Sequence, residues 1–185
     1  MDPDNSLLTF YSGLGPDDRG RFLHEIQNWP DEDLEITHDY IQWLFPLRER
    51  SAFNLRAPIL DAKTIAAFRA NPKLRTNFKA SFIRILTFYG FTLLEDPPVR
   101  VIPASSFPER AENWLTPGNH NYLRITRILK SLRLLGLEQE ALAFFRCLSA
   151  LYHRESAGGF SPISHENFEY WRDAAADSPE LGSIR

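Results

Sequence analysis

The twenty residues NPKLRTNFKASFIRILTFYG, Asn71 to Gly90, decide the fold class. Leu74, Phe78, Phe82, Ile85 and Tyr89 recur at i, i+4, i+8, i+11 and i+15, one stripe of a long amphipathic helix. Asn71 brings a capping oxygen, Pro72 fits the first helical position, and Gly90 offers a stop. The same signs extend outward. Asp61 caps a shorter helix over 62–70, which Asn71-Pro72 then breaks. Tyr122, Ile125, Leu129 and Leu132 form a second stripe, Gly136 ends it, and Leu137, Ala141, Phe144, Leu148 and Leu151 resume at once. Residues 122–153 therefore read as an αα-hairpin.

Leu34, Ile41, Leu44 and Phe45 share one face of a helix from about Asp33 to Phe45, closed by Pro46. A short helix over Asp17–Trp29 is expected before it. A last helix, opened by Ser161-Pro162, carries Phe168 and Trp171. Strand evidence is thin, because the one β-branched run, Val99 to Ile102, is hemmed in by Pro97, Pro98 and Pro103. The stretch 94–113 reads as an irregular loop. The expectation is an all-α, single compact multi-helix domain of about six to eight helices. Within it, 1–32 is an acidic helical segment packed on the domain, 33–155 the core, and 156–185 a C-terminal helix and tail.

The chain has 185 residues, 43% of them hydrophobic, enough for a sizeable core and too many for a disordered chain. No apolar run approaches the roughly 18–20 residues of a membrane span. The N-terminus, Met1-Asp2-Pro3-Asp4, is acidic where a secretory signal is basic. The single cysteine, Cys147, excludes an internal disulfide and a cysteine-based zinc site, and it reads as a buried thiol. These features predict an intracellular, cytoplasmic protein. Residues 1–39 hold ten acids against Arg19 and Arg21, and the remainder has 19 basic and 14 acidic residues. An acidic start facing a basic body predicts internal charge pairing or a polar partner on the basic side. The overall charge of −3 argues against general nucleic-acid binding.

Two constellations carry the candidate chemistry. On the helix from Tyr122, the residues Ile125, Ile128, Leu129 and Leu132 gather on the core side. His120, Arg124, Arg127 and Ser131 form a row well round from them, while Lys130 and Arg133 lie elsewhere on the exposed surface. Forked guanidinium donors suit a carboxylate or an acidic peptide, although a charged row is also the ordinary exterior of a helix. The second constellation lies in the predicted 33–45 helix, where His38 and Gln42, and Asp39 and Trp43, are i, i+4 neighbours along an apolar margin. That margin could line a mixed pocket, and the plainer reading makes Trp43 core packing. The pair His38-Asp39 also matches two letters of the metal-dependent HD phosphohydrolases, with His24 and Asp61 or Asp96 as further ligands. Asp61 is better explained as a helix cap. No Walker loop, His-Glu-x-x-His or G-x-S-x-G element occurs.

The segments HDYIQWLFPLRE (38–49) and NYLRITRILKSL (121–132) resemble the N-terminal shared domain of the opioid growth factor receptor family, as do Phe88-Tyr89-Gly90 and Asn113-Trp114. The similarity runs from about Asp33 to Arg154. Animal members of that family are described as nuclear-envelope-associated receptors for an enkephalin-type pentapeptide and as negative regulators of growth. They have long C-terminal extensions with nuclear-targeting stretches and repeats. This chain stops at Arg185 with neither, so the resemblance implies the bare domain. It brings no catalytic residue.

A peptide of that type has an amine, two aromatic rings and a carboxylate. Asp39 is expected to meet the amine, Trp43 a ring, and Arg124 or Arg127 the carboxylate. The combined reading is a binding or regulatory module for a peptide or small anionic ligand, with no cofactor. Its candidate set is His38, Asp39, Gln42, Trp43, His120, Asn121, Arg124, Arg127 and Lys130. The alternatives are a metal-dependent phosphohydrolase using His38 and Asp39, and a scaffold docking an acidic protein on the basic helix 122–135.

Overall fold

A computed structural model describes residues 6–51 and 54–176. The all-α expectation holds. The chain runs α1 (Ser6–Tyr11), α2 (Leu23–Gln27), α3 (Asp31–Ile36), α4 (Ile41–Leu44), α5 (Ala62–Ala70) and α6 (Pro72–Tyr89). It continues through strands β1 (Phe91–Leu94) and β2 (Arg100–Pro103) to α7 (Phe107–Trp114), α8 (Asn121–Leu134), α9 (Glu138–Ser156) and α10 (His165–Ala175). Among the described residues these two short strands are the only sheet.

The long central helix α6 forms as its sequence dictates. Asn71 Oδ1 accepts from the amides of Lys73 and Leu74, Pro72 opens the helix, and Gly90 closes it in the left-handed region at φ +83°. All five residues of its apolar stripe are buried. A side chain on Gly90 would place Cβ 2.7 Å from the Phe107 backbone, so both conformation and space require glycine there.

The hairpin of α8 and α9 turns at Gly136 (φ +89°), where the Leu137 amide reaches back to the Leu132 carbonyl at 2.8 Å. That six-to-one bond is the Schellman closure of a helix. The helix α10 packs against both arms.

Aromatic rings fill the interior around α6. Phe78 meets Tyr11, Phe45 and Phe68, while Tyr89 and Phe91 meet Trp114. Three large polar tips inside are paired: the Tyr11 hydroxyl donates to the Leu44 carbonyl, and the Trp114 and Trp171 indoles donate to the carbonyls of Tyr89 and Tyr122, while the buried Tyr122 hydroxyl finds no partner among the described residues. Charge pairing of the acidic start with the basic body is also present. Asp31 bridges Arg84 of α6 and Arg110 of α7 at 2.7 and 2.5 Å.

Four local expectations need correction. The predicted 33–45 helix is broken into α3 and α4, because Thr37 is extended (φ −89°, ψ 130°) and His38 to Tyr40 make the connection. Its freed carbonyls find partners on α8. The predicted 17–29 helix shrinks to α2, because the Asp17 carboxylate accepts from the Arg19 and Arg21 amides and holds a turn. The 94–113 loop contains an antiparallel hairpin, Phe91 opposite Pro103 and Leu94 opposite Arg100, followed by α7. Its prolines occupy a turn, a strand end and a first helical turn, the places where a missing N–H costs least. The last helix starts after Ser164, whose Oγ accepts from the Asn167 amide, rather than at Ser161-Pro162. Asp2 and Asp4 of the acidic start, and the tail beyond Ala176, lie outside the described residues.

Candidate functional site

The row His120, Arg124, Arg127, Ser131 does not face open solvent. It faces the chain from the last turn of α3 to Pro46, and each member meets that chain in order. His120 Nε2 lies 3.5 Å from Glu35 Oε1. Arg124 donates Nη1 to the Leu34 carbonyl (2.9 Å) and Nη2 to those of Glu35 (3.3 Å) and Thr37 (2.9 Å). Arg127 Nη1 donates to the Phe45 carbonyl (3.1 Å), and Ser131 Oγ to that of Pro46 (2.9 Å). A chain without helical hydrogen bonds exposes its carbonyls, and α8 supplies the donors they lack.

Between the rungs lies a groove of about 280 Å³. Ile41, Leu47 and Leu123 give it an apolar floor. His38 and His120 stand at one end, and Arg127 and Lys130 at the other, with Gln42, Arg124 and Thr126 between them. The two imidazole rings are 5.2 Å apart, centre to centre. His38 Nδ1 sits 2.8 Å from the Ile36 carbonyl, so that nitrogen carries the proton and Nε2 is left as an acceptor in the neutral ring. Burial and the Arg124 guanidinium, aided by His38 and opposed by Glu35, lower the His120 pKa below its ordinary value. Gln42 turns its NH2 group to the carbonyls of His38 and Asp39, 3.3 and 3.2 Å away.

The two arginines differ. Arg124 is 6% exposed, adds a bond to Asn121 Oδ1, and lies over the Tyr40 ring. Its donors are consumed internally. Arg127 is half-buried beside the same groove. One backbone carbonyl is its hydrogen-bond partner among the described residues, and no carboxylate reaches it. Burial pushes its guanidinium below the ordinary value against the pull of Glu49, so its charge is under-compensated.

Six of the nine residues singled out from sequence line this groove: His38, Gln42, His120, Arg124, Arg127 and Lys130. The other three lie elsewhere. Asp39 pairs with Arg19 at 3.0 Å and Arg21 at 2.8 Å, and despite partial burial these arginines hold its carboxyl below the usual range. Trp43 is core, 4% exposed, with its indole donating to Asp18 at 2.7 Å and its ring against Phe10. Asn121 is fully buried, bonded to Tyr89, Glu35 and Arg124.

Internal bonds occupy Asp39, Trp43 and Arg124, the expected partners of an amine, a ring and a carboxylate, and of the two arginines expected to meet the carboxylate Arg127 alone keeps donors beside the groove. Ile41, Leu47, Leu123 and Thr126 line the groove without having been singled out from sequence. Leu123 was the one with a signal, a leucine off the core stripe beside Arg124, and it is 54% exposed.

The His38–His120 approach is one that a metal site would also require. Among the described residues, though, no group of three His, Cys, Asp or Glu is arranged to hold a metal ion. His24 is exposed beside Phe22, and Asp61 caps α5 through the Thr64 amide. Burial pushes the Cys147 thiol up to about 11, which keeps it protonated.

Comparison with known proteins gives a consistent answer. The family model for the opioid growth factor receptor (OGFr) conserved region matches residues 4–177. The chain is 45% identical over 139 residues to the opioid growth factor receptor of Rattus norvegicus, covering 73% of this chain and 24% of that protein. For the Homo sapiens receptor the identity is 40% over 144 residues, 75% of this chain and 21% of that protein. For opioid growth factor receptor-like protein 1 of Mus musculus it is 40% over 141 residues, 73% and 29%. These alignments span less than a third of each relative. No solved structure gives a significant match.

Proposed function

The chain belongs to the opioid growth factor receptor family, and from that membership and the groove we propose that it is a non-catalytic binding module for a peptide or small anionic ligand. The ligand's apolar part rests on Ile41, Leu47 and Leu123, and its carboxylate meets Arg127. The observation that carries this reading is the under-compensated Arg127 guanidinium, half-buried beside an apolar floor. An anion there gains a charge-assisted, bidentate contact in a partly desolvated setting. His38 and His120 at the far end add polar recognition, and Lys130 adds long-range attraction. The relatives' names make an opioid-type peptide the first ligand to try. A lone protonated thiol suits the reducing cell interior, so the module is taken to work in the cytoplasm.

The test is calorimetric titration of the pentapeptide Tyr-Gly-Gly-Phe-Met, with a free or an amidated C-terminus, into the protein and its Arg127→Met variant. The free acid should bind about tenfold more tightly than the amide, about 1.4 kcal/mol. The variant should lose that difference, as expected of a direct pair. Equal affinities of acid and amide for the unsubstituted protein would refute the assignment of Arg127.

A further inference from the structure

We propose that the groove receives the free carboxyl-terminal end of a polypeptide, with its last three residues on the floor and the rest of the chain leaving past the histidines. This rests on the reading of the groove as a site for an anionic ligand and names the class of ligand.

The two ends of the groove differ. Beyond Arg127 a second hollow of about 490 Å³ begins, and Leu47 and Lys130 belong to the walls of both, so they form the ridge between them. Leu47 is buried, and Glu49 stands on the far side of the ridge, 4.0 Å from Lys130. At the other end His38 and His120 are both exposed, as is Ile36 (70%), and the groove opens to solvent.

A chain lying in the groove can therefore run out past the histidines but has to stop at the ridge. What stops there is a chain end, and Arg127 decides which one. An amino terminus would bring a second cation against a half-buried guanidinium, whereas a carboxyl terminus brings the anion that Arg127 lacks. Arg124 takes no part in this choice, because backbone carbonyls and Asn121 occupy its donors. A side-chain carboxylate within a chain has the same charge, but it needs room for backbone on both sides, which the ridge denies.

Length follows from the helix beneath. His120 and Arg127 are seven residues apart along α8, about 10 Å at 1.5 Å per residue. An extended chain covers that distance in about three residues at 3.3 Å each. The volume agrees, since about 280 Å³ is at the small end of ligand pockets. A helix, about 10 Å across, does not fit. The floor of Ile41, Leu47 and Leu123 asks for apolar side chains on the ligand, and Leu123, 54% exposed, gains most from being covered.

The experiment is calorimetric titration with acetylated peptides, so that no amine contributes. Gly-Ser-Leu-Leu-Leu with a free carboxyl end should bind at least tenfold more tightly than the amide of Gly-Ser-Leu-Leu-Glu-Gly-Ser, which has the same charge on an internal side chain. Leu-Leu-Leu should keep the affinity of the longer acid within about threefold, and a single acetylated leucine should lose tenfold or more. Leu123→Ser, at an exposed position, should weaken the first peptide at least threefold.

Equal affinities for the terminal and the internal carboxylate, both lost in Arg127→Met, overturn the chain-end assignment and leave the anion reading standing. If neither peptide binds, or if both bind Arg127→Met as tightly as the unsubstituted protein, the two readings fall together. A single leucine as tight as the tripeptide, or a first peptide indifferent to Leu123→Ser, overturns the placement of three residues on the floor.

Discussion

Arg124 and Arg127 stand three residues apart on one helix and face the same irregular chain, yet the structure uses them differently. Arg124 meets three consecutive-region carbonyls at the end of α3 and an amide oxygen of Asn121, and it is almost wholly buried. Among the described residues Arg127 donates to one carbonyl, and an open groove lies beside it. A guanidinium has five donors, so the first is near saturation and the second retains most of its capacity. The lesson is that a basic row on a helix is not one functional unit. Part of it replaces hydrogen bonds the backbone has lost, and the remainder is free to meet a ligand.

The largest expected effect tests that division directly. Arg124→Met should destabilise the domain by about 3 kcal/mol or more, because it strands several buried carbonyls at once. Arg127→Met should change stability by no more than about 1 kcal/mol, since the arginine gives up one bond and a partly buried charge disappears with it. Urea unfolding of the two variants, with equal m-values, measures both numbers. Equal losses would erase the distinction between a clamp and a binding residue.

A smaller effect sharpens the clamp side. The Ser131 hydroxyl, fully buried, donates to the Pro46 carbonyl at 2.9 Å and pins the end of the irregular segment. Ser131→Ala should cost about 1 kcal/mol in the same unfolding assay, the ordinary worth of one buried bond whose acceptor is left alone. It should leave pentapeptide affinity unchanged, because Ser131 is not among the groove's walls. A loss of affinity comparable to that of Arg127→Met would mean that the clamp and the groove are a single coupled unit.

The same contrast explains what could be read from the sequence. Helices α5 and α6 carry apolar stripes and side-chain caps, and α8 and α9 carry apolar stripes on either side of the Gly136 turn, so local residues settle them. The break between α3 and α4 has no such local signal. Leu34, Ile41, Leu44 and Phe45 fit a helical face, and only the distant Arg124 makes the broken form affordable by taking the carbonyls that a helix would have paired. The hairpin of β1 and β2 was hidden for a similar reason, its prolines reading as loop until the partner strand is known. At the site, residue type and spacing brought out the α8 row. They could not reveal that Asp39 belongs to Arg19 and Arg21, or that Trp43 points to Asp18. Those partners lie about twenty residues upstream, in a turn whose shape depends on Asp17.

The smallest effect sits where clamp and groove meet, at His120. Its folded-state pKa lies below the ordinary value, so near pH 6 the unfolded chain binds more protons at this residue than the folded one. Stability from this source is therefore complete above the ordinary histidine range and is lost as pH falls through the lowered pKa. Glu35, Arg124 and His38 face the ring, and of these Glu35 alone favours the proton. A carboxylate held at Arg127 lies about 10 Å along α8 from the ring, roughly a Debye length, and leaves the His120 pKa where it is. Melting temperature should therefore fall from pH 7.5 to 5.5 while pentapeptide affinity stays level. A His120→Gln variant should flatten the melting trend, and an affinity that rises as the pH falls would place the carboxylate at the histidine pair and not at Arg127.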